Sequence, residues 1–138
     1  MSEERQLPSG PDALGEVPLF EGMSHRELAR VDDLGTRLEV TRGAVLVDQG
    51  DPGTYCYVVL EGSASVYANG EYVATNGPGS TIGEMALIDH RPRRATVVAD
   101  GPMTLLRFNT SQFKALLEEM PKAAERIMGI LGARLDRG

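Results

Sequence analysis

Between residues 35 and 109 the chain is cut every few residues by turn formers, and that cadence limits the available folds more than any other feature. The runs Thr36–Thr41, Ala44–Val47, Tyr55–Leu60, Ala64–Tyr67, Tyr72–Ala74, Ala95–Ala99 and Leu105–Phe108 are short and rich in β-branched and aromatic residues. Between them stand Gly43, Gly50-Asp51-Pro52-Gly53, Glu61-Gly62, Asn69-Gly70 and Asn76-Gly77-Pro78-Gly79. Apolar pieces this short, bounded by such breakers, read as strands. Asn69-Gly70 between two of them is a two-residue hairpin signal, because both central positions of that turn need positive φ. Many short strands at regular spacing close most readily into a small antiparallel barrel or a pair of facing sheets. The expected fold class is therefore mainly β: an antiparallel β-roll, a double-sheet, jelly-roll-like barrel.

Helical periodicity flanks this region on both sides. Residues 1–10 are charged, contain Pro8 and Gly10, and read as a flexible tail. Leu14, Val17, Leu19 and Phe20 then form an apolar helical stretch interrupted by Pro18. Ser24 followed three residues later by Glu27 is a capping-box pattern, and Leu28 and Val31 continue the apolar stripe. After Asn109, Thr110 or Ser111 can cap a helix carrying Phe113, Leu116 and Leu117. Pro121 opens a second helix, where its missing N–H costs nothing. Ala124, Ile127, Met128, Leu131 and Leu135 share one face of it. The expected organisation is one domain over 11–138, with the roll at about 35–109 and two C-terminal helices at about 110–136.

Bulk properties narrow the function classes. A chain of 138 residues fits a single core. Its formal net charge of -6 argues against nucleic acid as a partner, which calls for a basic face. One local arginine can still capture a small anion against that diffuse field. Cys56 is the only cysteine, so no intrachain disulfide forms, and its place in Tyr55-Cys56-Tyr57-Val58-Val59-Leu60 marks a buried structural thiol. Neither a signal segment nor a bilayer-length apolar run is present, so a cytoplasmic protein without membrane partners is expected. His25 and His90 read as surface residues, and two histidines without clustered carboxylates make a poor metal site. No catalytic constellation can be assembled, so the chain reads as a non-enzyme without a cofactor.

Chemistry concentrates in residues 78–97, Pro-Gly-Ser-Thr-Ile-Gly-Glu-Met-Ala-Leu-Ile-Asp-His-Arg-Pro-Arg-Arg-Ala-Thr-Val. Gly79 and Gly83 let the backbone turn and approach a ligand closely. Residues 84–88 read as one helical turn whose first N–H groups lack intrahelical partners, a natural place for an anion. Arg93, at the start of the next strand, offers a fork-shaped cation for phosphate oxygens. Glu84 would repel phosphate but accepts well from a sugar hydroxyl. Exposed amides, Arg and Glu together suit a ligand with both a phosphate and a ribose hydroxyl, which describes a cyclic nucleotide.

Gly83-Glu84-Met85-Ala86-Leu87-Ile88 followed by Pro92-Arg93-Arg94-Ala95-Thr96-Val97 resembles the phosphate-binding cassette of the cyclic nucleotide-binding domain family, which includes catabolite-activator-type regulators, kinase regulatory subunits and nucleotide-gated channels. Pro18-Leu19-Phe20-Glu21-Gly22-Met23-Ser24, Gly43–Val47 with Gln49-Gly50-Asp51, and Tyr57-Val58-Val59 with Glu61-Gly62 also resemble family segments, in order. The resemblance implies that Glu84 accepts from the ribose 2'-hydroxyl and that Arg93 pairs with the cyclic phosphate. Gly83, Met85, Ala86 and Ala95 would contribute backbone or close packing. Arg94 departs from the family's small residue: it points outward, adds a phosphate contact, or crowds the base. The implied function is a cyclic mononucleotide sensor, cyclic AMP first and cyclic GMP next, whose C-terminal helix moves on binding. A homodimer or a partner protein would read that helix. The alternatives are a degenerate roll kept as an interaction scaffold, a regulatory fragment of a channel, kinase or transcription factor, and a metal-dependent roll enzyme.

Overall fold

The computed structural model describes residues 14, 15, 17, 20–51, 54–83, 94–121 and 125. Among these the order is α1 (His25–Leu34), β1 (Thr36–Val40), β2 (Val45–Val47), β3 (Tyr55–Glu61), β4 (Ala64–Ala68), β5 (Glu71–Asn76), β6 (Thr81–Ile82), β7 (Thr96–Ala99), β8 (Met103–Asn109) and α2 (Thr110–Glu119). All seven strand runs read from the sequence are present. The eighth strand, β6, is only two residues long and sits behind the 76–79 turn, too short to leave an alternating pattern.

The strands form two four-stranded sheets, β1-β8-β3-β6 and β2-β7-β4-β5, with every neighbouring pair antiparallel. The expected antiparallel roll is thus borne out, as facing sheets rather than a closed barrel. The sheet built on β3 and β8 is buried on both sides. Its one face, with Cys56, Val58, Leu106 and Phe108, packs on Leu14, Val17, Phe20, Leu28, Val31, Phe113, Leu116 and Met120 of the helical layer. Its other face, with Tyr57, Val59, Met103 and Leu105, packs on Val47, Ala64, Val97 and Ala99 of the second sheet. Two-sided burial explains why these strands read as unbroken apolar runs while the others alternate.

The β4–β5 hairpin shows how a register irregularity directs side chains. Asn69 and Gly70 have φ of 54° and 82°, the turn expected of that dipeptide. Val66 pairs with Ala74 but Tyr67 pairs with Tyr72, so Val73 is an extra residue in β5. The bulge reverses the side-chain alternation. Tyr72 and Thr75 therefore share the outer face, where their hydroxyls lie 2.6 Å apart, and Tyr72 meets the Tyr67 ring edge-on at 6.1 Å.

Both described helices carry capping boxes. Ser24 Oγ accepts from the Glu27 N–H at 3.1 Å and the Ser24 N–H donates to Glu27 Oε1 at 2.9 Å, as the sequence pattern predicts. At α2 the cap is Asn109, not Thr110 or Ser111: Asn109 Oδ1 accepts from the Gln112 N–H at 2.7 Å, and Gln112 Oε1 accepts from the Asn109 N–H at 2.8 Å. Asn109 keeps an extended backbone as the last residue of β8, while Thr110 is already helical. The second C-terminal helix expected from 121 onward lies outside the described residues, except that Pro121 and Glu125 are both helical. No helix among the described residues is long and apolar enough to cross a membrane.

Candidate functional site

The segment singled out by the sequence leaves one sheet and returns to the other. Its outgoing side is fixed by backbone bonds to β3. The Gly79 N–H donates to the Val59 carbonyl at 2.8 Å, the Val59 N–H to the Ser80 carbonyl at 2.9 Å, and the Ser80 N–H to the Gly77 carbonyl at 3.1 Å. β6 then pairs through Tyr57↔Ile82 and Val58↔Thr81, with Ile82 buried in the core between the sheets. At Gly83 the backbone turns to φ 82°, a left-handed conformation that any side chain would strain. The glycine is thus required by the direction in which the chain must leave the edge strand.

The returning side begins at Arg94, which is exposed, and Ala95, which is half-buried. Thr96 then starts β7, an inner strand of the second sheet, opposite Tyr67. Its hydroxyl accepts from the Gln49 N–H at 2.9 Å and donates to Asp48 Oδ1 at 3.0 Å. Gln49 in turn holds Asn69 by two bonds of 2.9 Å each, one from its Nε2 to Asn69 Oδ1 and one from the Asn69 N–H to its Oε1. A polar network thus ties the turn after β2, the tip of the β4–β5 hairpin and the first residue of β7. Sequence reading missed it. Gln49-Gly50-Asp51 registered as a family-like turn and Asn69-Gly70 as a hairpin turn, and nothing in one dimension links positions 20 and 47 residues apart.

Of the expected site residues, the structure describes Gly83, Arg94 and Ala95. Glu84, Met85, Ala86 and Arg93 lie outside the described residues. Gly83 stands at the departure point and Arg94-Ala95 at the return, so the cassette-like stretch joins the edge of one sheet to the interior of the other. Among the described residues, no three His, Cys, Asp or Glu side chains gather as metal ligands.

The sequence profile of the cyclic nucleotide-binding domain matches residues 37–120, which run from β1 to the end of α2. The chain belongs to the cyclic nucleotide-binding domain family. It is 37% identical over 109 residues to a cyclic nucleotide-gated potassium channel of Mesorhizobium japonicum, and 32% identical over 114 residues to a Pycsar effector protein of Xanthomonas perforans. These alignments cover 79% and 81% of this chain but only 30% and 38% of the respective relatives. Among solved structures it resembles the catabolite activator protein of Thermus thermophilus, with TM-score 0.79 and 30% identity over 87% of this chain and 59% of that one. The regulatory domain of Toxoplasma gondii protein kinase A, solved with cyclic AMP, matches with TM-score 0.77 and 28% identity over 93% of this chain and 49% of that one. Family membership makes this a cyclic nucleotide-binding domain, of a regulatory class.

Proposed function

We propose that the chain is a cyclic AMP sensor, with cyclic GMP the next ligand, and that it acts without catalysis of its own. The observation that carries this reading is the placement of Gly83 and Arg94-Ala95 at the two ends of a stretch bridging the sheets. Gly83 frees the backbone to bring the amides that follow it toward an anion. Arg93, one residue before the exposed Arg94, pairs with the equatorial phosphate oxygens through two parallel N–H bonds. Glu84 accepts the ribose 2'-hydroxyl, and Met85, Ala86 and Ala95 pack around the ring-closed phosphate. Binding is coupled to the position of the helix expected after Pro121, so ligand and helix position influence each other equally.

Arg94 supports this reading over a degenerate scaffold. Its exposure agrees with an outward-pointing side chain rather than one that crowds the base. The regulated partner is another protein, a second copy of the chain or a further domain, the last in keeping with how much longer the curated relatives are.

Titration calorimetry with cyclic AMP and cyclic GMP tests the reading on the parent chain and on Arg93→Ala. The expected loss is about 2–5 kcal/mol of binding free energy for the variant, the usual cost of truncating one member of a buried charge pair. Equal affinities would remove Arg93 from the site. A parent chain that binds neither nucleotide would remove the sensor function.

A further inference from the structure

Backbone pairing of β7 with its two neighbours ends at Val47↔Val97 on one side and Tyr67↔Thr96 on the other. Among the described residues, the ladder pairing of β7 stops at Thr96 and does not extend to Ala95 or Arg94. The hydrogen-bonded network begins at Thr96. The Thr96 hydroxyl is used in both senses, as acceptor from Gln49 and donor to Asp48. The Gln49 side-chain amide is tied to Asn69 by a two-bond ring, donating through Nε2 and accepting through Oε1. Asn69 occupies its left-handed turn position at φ 54°, which fixes the direction of its side chain and N–H. Side-chain bonds thus link the three segments where the sheet pairing stops.

Resting on the sensor reading above, we propose that Asp48, Gln49, Asn69 and Thr96 form a positioning network that sets cyclic nucleotide affinity by anchoring the strand end from which Arg94 and Arg93 extend. None of the four needs to touch ligand. A guanidinium fork binds phosphate through two bonds of fixed direction, so a small shift of the strand end misaligns both. The bonds are exposed and exchange readily with water, so their loss costs the fold little. Their value lies in the direction they impose.

The test compares Thr96→Val, which keeps the side-chain shape without the hydroxyl, with Thr96→Ser, which keeps the hydroxyl. Cyclic AMP affinity is read by calorimetry, and amide hydrogen exchange of residues 94–98 is read without ligand. Thr96→Val is expected to bind about tenfold more weakly, with faster exchange confined to 94–98 and unchanged protection in β3 and β8. Thr96→Ser is expected to stay within about threefold of the parent, since the bonds that matter are retained. Undiminished affinity in Thr96→Val overturns the proposal, and so does a loss that Thr96→Ser fails to recover. A parent chain that binds no cyclic nucleotide overturns the sensor reading and, with it, the effect on affinity. Exchange then decides the anchor alone: unchanged protection of 94–98 in Thr96→Val overturns that as well.

Discussion

Single positions in this domain are constrained by what lies across from them more than by their own secondary structure. Gly35 illustrates the point. It closes α1, its N–H donating to the Val31 carbonyl at 3.2 Å, and its backbone is extended, so any residue could adopt it. What forbids a side chain is β8. A Cβ here would stand 2.7 Å from Leu106 Cγ, 2.8 Å from Leu106 Cδ1 and 3.0 Å from Phe108 Cζ. Leu106 and Phe108 are fully buried and have nowhere to retreat. Gly35→Ala is therefore expected to destabilise the fold by about 1–3 kcal/mol, the usual cost of overpacking a well-filled core. Urea denaturation reads this as a lower midpoint with an unchanged slope. A neutral substitution would mean that α1 can lift away from the sheet without penalty.

Elements were legible where their signal is local and hidden where it is not. The Ser24–Glu27 capping box and the Asn69-Gly70 turn are complete within four residues, and both stand as read. The cap of α2 lies at Asn109, ahead of the expected Thr110 or Ser111, because Asn109 serves two elements at once, ending a strand and starting a helix. β6 was invisible because two residues carry no period, and its place is set by pairing with Tyr57 and Val58 far upstream. Family membership followed the same rule, because the cassette-like motif that pointed to it is contiguous, whereas the Gln49–Asn69–Thr96 network is assembled only by the fold.

The packing of α1 against α2 is another contact that no local pattern announces. Arg30 meets Glu119 side-on, Nε donating to Oε1 at 2.6 Å and Nη2 to Oε2 at 2.9 Å. The hydrogen bonds from Arg30, with its charge, hold the Glu119 carboxyl below the usual carboxylate range, and Glu119 raises the guanidinium in return. A carboxyl depressed in the folded state adds stability above its unfolded pKa, and that stability fades as pH falls through the folded one. Both side chains are well exposed, so the effect is small and salt-sensitive. Thermal unfolding of parent and Glu119→Gln should differ slightly near neutrality at low salt, in favour of the parent. The gap should shrink as pH falls below the usual carboxylate range and close once Glu119 itself protonates in the folded state. A difference that persists at low pH would assign the contact to packing rather than charge.

At the scale of the whole molecule, β3 and β8 are the shared wall of two cores, one face serving the helices and the other the second sheet. Neither core can lose this wall and survive, so the layers should open together. Cys56 reports on that directly, because the only thiol lies buried on the helical face of β3. A thiol reagent reaches it either when the helical layer peels away alone or when the whole domain unfolds. On the proposed sensor reading, cyclic AMP separates the two routes, since a ligand that binds only the native state slows global opening and leaves a purely local one unchanged. At a free concentration of 100 times Kd the stabilisation is about 2.7 kcal/mol, which corresponds to labelling about 100-fold slower when opening is global and reclosing is fast. The shared wall leads us to expect that full slowing. A rate indifferent to ligand would mean that the helices detach while the roll stays folded around its nucleotide, and the proposed coupling from site to helix would then have to bypass β3.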